Sequence, residues 1–246
     1  MIRFKFNIVE IIHINLVLKY SNKVIKIISK YFNMIDQVFI LVGGKGSRIS
    51  KVTKKTPKPL IKINKKIFLD YLILYFTKFG IKKIYLLTNY KNKIFKKKYE
   101  KKKINGSTIF CINENEFLGT SGSIKNAIKK AKGHFILCNG DTFFDINLFD
   151  FITQFNKNLI GQLACSSLQN SDKRYTRFSS QKQKIVSSGL YLFNKNRINK
   201  FLLNIGSLEN EVIKKLPAKK FKKIIYKKKF IDIGTYADLK KAGRFL

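Results

Sequence analysis

The chain has 246 residues, 45% of them apolar, with only 3 Pro and 14 Gly. That length suits one α/β domain with a sizeable core and excludes two large ones, and the composition excludes a disordered chain of flexible linkers. The formal charge of +37, from 51 Lys and Arg against 14 Asp and Glu, runs along the whole chain. A charge so evenly spread follows from a general bias toward Lys, Ile, Asn and Phe, and it weighs against a dedicated nucleic-acid surface.

Two dense basic runs, 91–103 and 219–229, read as solvated faces, although a positive potential still draws in phosphorylated ligands. The apolar segment Ile8–Tyr20 is interrupted by Glu10, His13 and Asn15, so neither a membrane span nor stable membrane insertion is expected. Cys111, Cys138 and Cys165 stand apart without a C-x-x-C pair, which suits free thiols in the reducing cytoplasm. His13 and His134 are too few and too distant for a His-based metal site.

Residues 1–33 look detached from the rest of the chain. The first convincing strand is Val38–Val42, an unbroken apolar run of the kind a buried parallel strand requires. Helical spacing over 68–79 ends at Gly80, strand 84–87 comes next, and a Lys-rich helix is predicted over 92–101. Strand 108–112, helix 123–131 and strand 135–138 continue the alternation, then helix 147–155 and strand 161–167. Beyond an unclear polar stretch at 169–184, a strand over 185–193 is interrupted by Gly189. A helix over 208–215, short strands over 222–226 and 229–233, and a helix over 235–244 complete the chain. This alternation predicts a mostly parallel central sheet with helices on both faces, in the manner of a Rossmann-like fold. Ligands of such sheets bind at the carboxyl ends of the strands, so the loops after Val42, Leu87, Ile112 and Cys138 are expected to line the site.

Gly43-Gly44-Lys45-Gly46-Ser47-Arg48 comes directly after the first strand, and glycines there let backbone N–H groups approach phosphate oxygens. Neither a dinucleotide fingerprint nor a P-loop fits, since Ile49 stands where the last glycine would be and no G-K-S/T occurs. In Thr56-Pro57-Lys58-Pro59-Leu60 two prolines hold the backbone extended around Lys58, which fits a cation that neutralises a transferring phosphoryl group, or else a solvated lysine on a rigid loop. Asp141 ends a buried strand and Asp232 lies in an apolar one, where an unpaired carboxylate is costly. Both suit Mg²⁺ ligation beside phosphates, with helix capping as the plainer role for Asp232.

Together these pieces resemble the G-G-x-G-S/T-R…P-K-P signature of the sugar-1-phosphate nucleotidyltransferases. Further matches run in order: Glu116–Gly122, Asn139-Gly140-Asp141-Thr142, Ser188-Gly189-Leu190-Tyr191, Ser207-Leu208-Glu209 and Asp232-Ile233-Gly234-Thr235, covering about residues 36–243. Asn139–Asp145, Arg174-Tyr175 and Ser207-Leu208-Glu209 look most like the branch that guanylylates D-glycero-D-manno-heptose 1-phosphate, with mannose-1-phosphate and other hexose-1-phosphate enzymes as rivals. A catalytically weak nucleotide-binding relative is the further alternative. In that family the glycine turn lies close to the N-terminus, which implies a start at Met34, an extension over 1–33 and one nucleotidyltransferase domain over 34–246.

The resemblance implies a role for each residue. Leu41, Gly43, Gly44, Gly46, Ser47 and Arg48 would hold the nucleotide, with Arg48 on the triphosphate. Gly119 and Thr120 would border base and ribose, and Lys58 would steady the α-phosphate and the sugar phosphate. Asp141 and Asp232 would bind Mg²⁺, and Asn139, Gly189 and Glu209 would face the sugar. Arg48, Lys58 and Asp141 would carry catalysis, with GTP and a sugar 1-phosphate as partners, no nucleic acid, and a homo-oligomer left open. The chain departs from the family at Phe117, Ser121 and Ser188, the last adding a side chain near the sugar. It also lacks a Glu-Lys pair in a shortened 176–187 segment, where Lys182 or Lys184 could substitute.

Overall fold

An unbroken apolar run is stable as a strand only when both its faces are covered, and Val38, Phe39 and Ile40 are each fully buried. They form the middle of a sheet in a computed structural model that describes residues 35–49, 56–167 and 185–246. Residues 1–33, and the features expected at Arg174, Tyr175, Lys182 and Lys184, lie outside the described residues.

Strand β1 (Gln37–Leu41) leads through the hairpin β2 (Lys62–Ile63) and β3 (Lys66–Ile67) into helix α1 (Phe68–Lys78). Next come β4 (Lys83–Thr88), α2 (Asn92–Tyr99), β5 (Lys103–Ile104), β6 (Ser107–Asn113), α3 (Gly119–Ala127), β7 (His134–Asn139) and β8 (Thr142–Phe143). Helix α4 (Leu148–Thr153), β9 (Gly161–Ser166), β10 (Val186–Asn194), α5 (Lys195–Ile198), β11 (Phe221–Tyr226), β12 (Ile231–Asp232) and α6 (Tyr236–Phe245) complete the order.

Eight of these strands make one sheet in the order β11-β9-β10-β7-β1-β4-β6-β5. Strands β7, β1, β4 and β6 run parallel, and β10 is antiparallel to both of its neighbours, β7 and β9. The expected mostly parallel sheet flanked by helices is present. One face carries Phe39, Leu87, Phe135, Leu137 and Tyr191, packed against Ile124 and Ala127 of α3 and against Leu208 and Val212. The alternate residues Ile40, Ile84, Leu86 and Ile136 point to the opposite face and are equally buried. At one edge β11 turns Lys222 and Lys223 to solvent, which discourages edge-to-edge pairing with other chains.

The short elements β2, β3, β5, β8 and α5 had no sequence-based counterpart, and three of the predicted elements take a different form. Helix α3 begins at Gly119, four residues before the expected start, because Gly119-Thr120-Ser121-Gly122 has no apolar side chain to register a helical period. The helix predicted over 208–215 is a π-helical turn, Leu208–Val212, followed by a 3-10 turn, Ile213–Lys215. The strand predicted over 229–233 contracts to the two residues of β12, which pair with β8 outside the main sheet.

Candidate functional site

From β1 the chain first adds β4 and β6 on one side of the sheet, then crosses to add β7 on the other. Such a reversal opens a crevice at the carboxyl ends of the central strands. A cavity of about 670 Å³ lies there, lined by the segments that come after β1, β6 and β7.

The glycine turn is fastened to the end of β4. Val42 N–H donates to Leu87 O at 3.0 Å and Tyr90 N–H donates to Gly43 O at 3.3 Å. A Cβ on Gly43 would press on Asn89 at 3.1 Å, whereas the space above Gly44 is open. Leu41, Gly43, Gly44, Gly46 and Ser47 all line the cavity. Arg48 sits in the adjoining 3-10 turn, Ser47–Ile49, and its side chain lies outside the described residues.

Lys58 opens a second 3-10 turn, Lys58–Leu60, with Pro57 and Pro59 on either side. Leu60 N–H closes the turn on Pro57 O at 2.8 Å, and the lysine itself is only 7% exposed. Its ammonium lies 2.5 Å from Asp141 Oδ2 and 4.0 Å from Asp232 Oδ1. Residues separated by more than 80 positions from Lys58 to Asp141 therefore meet at one nitrogen.

The β8–β12 ladder brings the two carboxylates together. It sets Thr142 opposite Asp232, and Ile233 N–H donates to Asp141 O at 3.0 Å. Gly140 N–H donates to Leu41 O at 3.0 Å, and a Cβ on Gly140 would approach that oxygen to 2.6 Å. Only a glycine lets the chain pass so close to β1 and turn Asp141 into the cavity. Burial first, then the neighbouring Asp141, pushes the Asp232 carboxyl up to about 6, opposed by the Lys58 charge. Asp232 Oδ1 is buried and accepts no hydrogen bond.

Two converging carboxylates, one with an unsatisfied buried oxygen, fit a hard divalent cation such as Mg²⁺. Among the described residues no three His, Cys, Asp or Glu side chains gather in one place, so the remaining oxygen ligands would be phosphates and water.

At the other end of the cavity β10 carries a bulge. Its register against β9 shifts between Ser187 and Leu190, and Gly189 takes φ +72°. A side chain at Gly189 would run into the Asn139 amide group. Asn139, Gly189 and Glu209 line this part of the cavity. Ser188 also lines the cavity, with its hydroxyl donating to Ala164 O at 2.7 Å. Across the cavity, Thr120 donates to Glu209 Oε2 at 3.1 Å, and Gly119 and Thr120 both line the wall.

The sequence model of the nucleotidyl transferase family matches residues 37–178. The chain belongs to that family. This nucleotidyl transferase is 35% identical over 219 residues to D-glycero-alpha-D-manno-heptose 1-phosphate guanylyltransferase of Campylobacter jejuni, covering 82% of the chain and 96% of that relative. The enzyme of the same name from Aneurinibacillus thermoaerophilus is 32% identical over 232 residues, covering 85% of the chain and 98% of the relative. Among solved structures, HddC from Yersinia pseudotuberculosis complexed with GMP-PN superposes with a TM-score of 0.71 at 31% identity, over 85% of this chain and 98% of that one.

One acidic residue of the nucleotidyl transferase cavity has no counterpart among the sequence-based expectations. Glu114 leaves the carboxyl end of β6, where its N–H donates to Thr88 O at 2.9 Å, and it is 6% exposed. Burial pushes its carboxyl upward, with the Ser123 hydroxyl and the Leu118 N–H acting in the opposite sense. Glu114 Oε1 has no hydrogen-bond partner. Its position at a parallel strand's carboxyl end was the available signal, since the loop after Ile112 was already expected to line the site.

Proposed function

We propose that the chain transfers GMP from GTP to the phosphate of D-glycero-α-D-manno-heptose 1-phosphate and releases pyrophosphate. The observation that carries this reading is the meeting of Lys58, Asp141 and Asp232 at the cavity wall shared with the glycine turn. It is supported by two relatives named for this reaction, each matched over nearly its whole length, and by a structural neighbour complexed with GMP-PN.

A sugar-phosphate oxygen, ionised at neutral pH, attacks the α-phosphorus in line. The new P–O bond forms as the bond to the β-phosphate oxygen breaks, and pyrophosphate leaves with that electron pair. No general base is needed, so positioning and electrostatic stabilisation supply the rate. The glycine turn holds the triphosphate with backbone N–H groups, and Arg48 adds a charge from the adjoining turn. Lys58, already buried in the wall, neutralises charge on the transferring group. Asp141 and Asp232 would hold Mg²⁺, which when bound supplies further charge neutralisation at the phosphates. Asn139, Gly189 and Glu209 orient the sugar, with Glu209 accepting from hydroxyl groups.

We assign the catalytic domain to residues 34–246 and the reaction to the cytoplasm, where nucleoside triphosphates are held. Three free cysteines accord with a reducing compartment, and no helix among the described residues is long and apolar enough to cross a membrane.

Pyrophosphate release from a matrix of four nucleoside triphosphates against heptose, mannose and glucose 1-phosphates tests the reading. GTP with the heptose phosphate should give the highest kcat/KM. A higher value for another pair reassigns the substrates, and no release with any pair rejects the transfer.

A further inference from the structure

A second cavity opens between α1 and α2, toward the β5 edge of the sheet. It measures about 280 Å³ and shares no lining residue with the larger one. Asp70, Ile73 and Leu74 form one wall, since positions three and four apart share one face of α1. Lys98 and Tyr99 come from the end of α2, Ile104 from β5 and Lys66 from β3. Lys102 completes the lining through a backbone reversal. Lys101 takes φ +57°, Lys102 N–H donates to Tyr99 O at 3.1 Å, and Ile109 N–H donates to Lys102 O at 2.9 Å.

Three lysines from three separate segments thus line one small space. Among the described residues no carboxylate stands within ion-pairing distance of Lys66, Lys98 or Lys102. Their contacts are with rings: the Lys66 ammonium is 4.8 Å from the Tyr71 ring centre, and that of Lys98 is 5.7 Å from the Tyr99 ring centre. Contacts of this kind leave the charge without a counter-ion. The nearest acidic groups are engaged elsewhere. The Tyr99 hydroxyl donates to Asp70 Oδ1 at 2.6 Å, and Glu100 Oε2 accepts the Cys111 N–H at 2.7 Å. Burial first, then Asp70, pushes the Tyr99 hydroxyl upward, so it stays protonated and keeps that bond.

Like charges gathered in one place repel, and an anion relieves the repulsion. Phosphate suits three ammonium groups because its oxygens accept several charge-assisted hydrogen bonds at once. The rest of the lining asks for more than phosphate. Ile73, Leu74 and the buried Tyr99 ring offer an apolar wall, and Asp70 Oδ2 accepts no hydrogen bond among the described residues. A compact ring bearing hydroxyl groups meets both. The space is less than half the size of the transfer cavity, which suits one sugar ring with its phosphate and excludes a nucleotide sugar.

We infer that the cavity between α1 and α2 is a second binding site, for a phosphorylated single-ring sugar. The inference stands on this cavity alone and does not depend on the guanylyl-transfer reading.

Calorimetric titration of the full chain with glucose 6-phosphate, whose phosphate is on the wrong carbon for the transfer, tests it. Wild type should bind saturably. Lys98→Glu combined with Lys102→Glu should weaken binding by about tenfold or more and leave nucleotidyl transfer within about twofold of wild type. Lys98→Gln with Lys102→Gln removes the charges at similar size and serves where the Glu pair does not fold. Lys58→Ala, in the transfer cavity, should bind as wild type does. Lys219→Glu with Lys222→Glu makes the same charge change at the opposite edge of the sheet and should also leave binding intact. Inorganic phosphate should bind about tenfold more weakly than the sugar phosphate, because it leaves the apolar wall bare. Absence of saturable binding overturns the inference. So does an equal loss in the Lys219 and Lys222 pair, which would point to the general positive potential, or a loss in Lys58→Ala alone, which would point to the transfer cavity. Equal affinity for inorganic phosphate overturns the assignment to a sugar.

Discussion

The Thr120 hydroxyl accepts the Leu208 N–H at 2.7 Å and donates to Glu209 Oε2 at 3.1 Å. One side chain thus ties the first turn of α3, which we place beside the nucleotide, to the carboxylate that we place beside the sugar. The backbone closes around it, with Ser121 N–H donating to Gly206 O and Gly206 N–H donating to Leu118 O, both at 2.9 Å. Thr120→Val keeps the shape and removes both hydrogen bonds. It should raise KM for the sugar phosphate about tenfold while leaving KM for GTP within about twofold. Thr120→Ser should restore the wild-type value. Initial rates with each substrate varied in turn give the answer, and an equal rise in both constants would reject the positioning role.

Lys58→Ala removes the cation between Asp141 and Asp232. The kcat should fall by about 10² to 10³ with the far-UV circular dichroism unchanged. The two carboxylates then face each other without a counter-charge, so the variant's melting temperature in EDTA should drop below wild type and recover on adding Mg²⁺. Near-normal turnover would remove Lys58 from the mechanism.

The pH dependence stems from Asp232. Its carboxyl in the fold is raised to about 6, above the unfolded value near 4. A raised carboxyl contributes stability below the unfolded pKa and loses it as pH climbs through the folded one. Without metal, wild type should therefore lose stability relative to Asp232→Asn as pH rises from about 4 to about 7, by several degrees in melting temperature. Metal binding needs the ionised form, so affinity for Mg²⁺ should weaken as pH falls through about 6. Melting curves in EDTA and Mg²⁺ titrations across that range measure both effects, and parallel pH profiles for the two proteins would refute the assignment.

Gly189→Ala places a methyl group against the Asn139 amide at φ +72°. A left-handed position with a close neighbour should cost about 1–3 kcal/mol. Because the strain falls where we place the sugar, KM for the sugar phosphate should rise more than KM for GTP. Denaturant melts and the same kinetics test this, and a stable variant with unchanged kinetics would contradict the reading.

Most of this site is legible in the sequence because its elements announce themselves locally. Val38–Val42 is continuously apolar, Gly43–Gly46 comes at once after it, and Pro57 and Pro59 frame Lys58. The missed parts depend on pairing across long separations. Asp232 was legible as a carboxylate in an apolar segment, but of its predicted strand over 229–233 only Ile231 and Asp232 pair, with β8. Glu114 carries no local signature: it is one of several acidic and amide residues in Asn113-Glu114-Asn115-Glu116. Only the geometry selects it, by burying one member and exposing the next. The early start of α3 was invisible for a related reason, since its first turn is fixed by backbone bonds to Gly206 and not by apolar side chains.

The two-residue ladder between β8 and β12 has a consequence for biosynthesis. Asp141 is made long before Asp232, yet the pair exists only after the later strand docks. A nascent chain with the glycine turn, Lys58 and Asp141 already folded would thus present one carboxylate and an unfinished pocket. Competence therefore waits on the docking of β12 against β8.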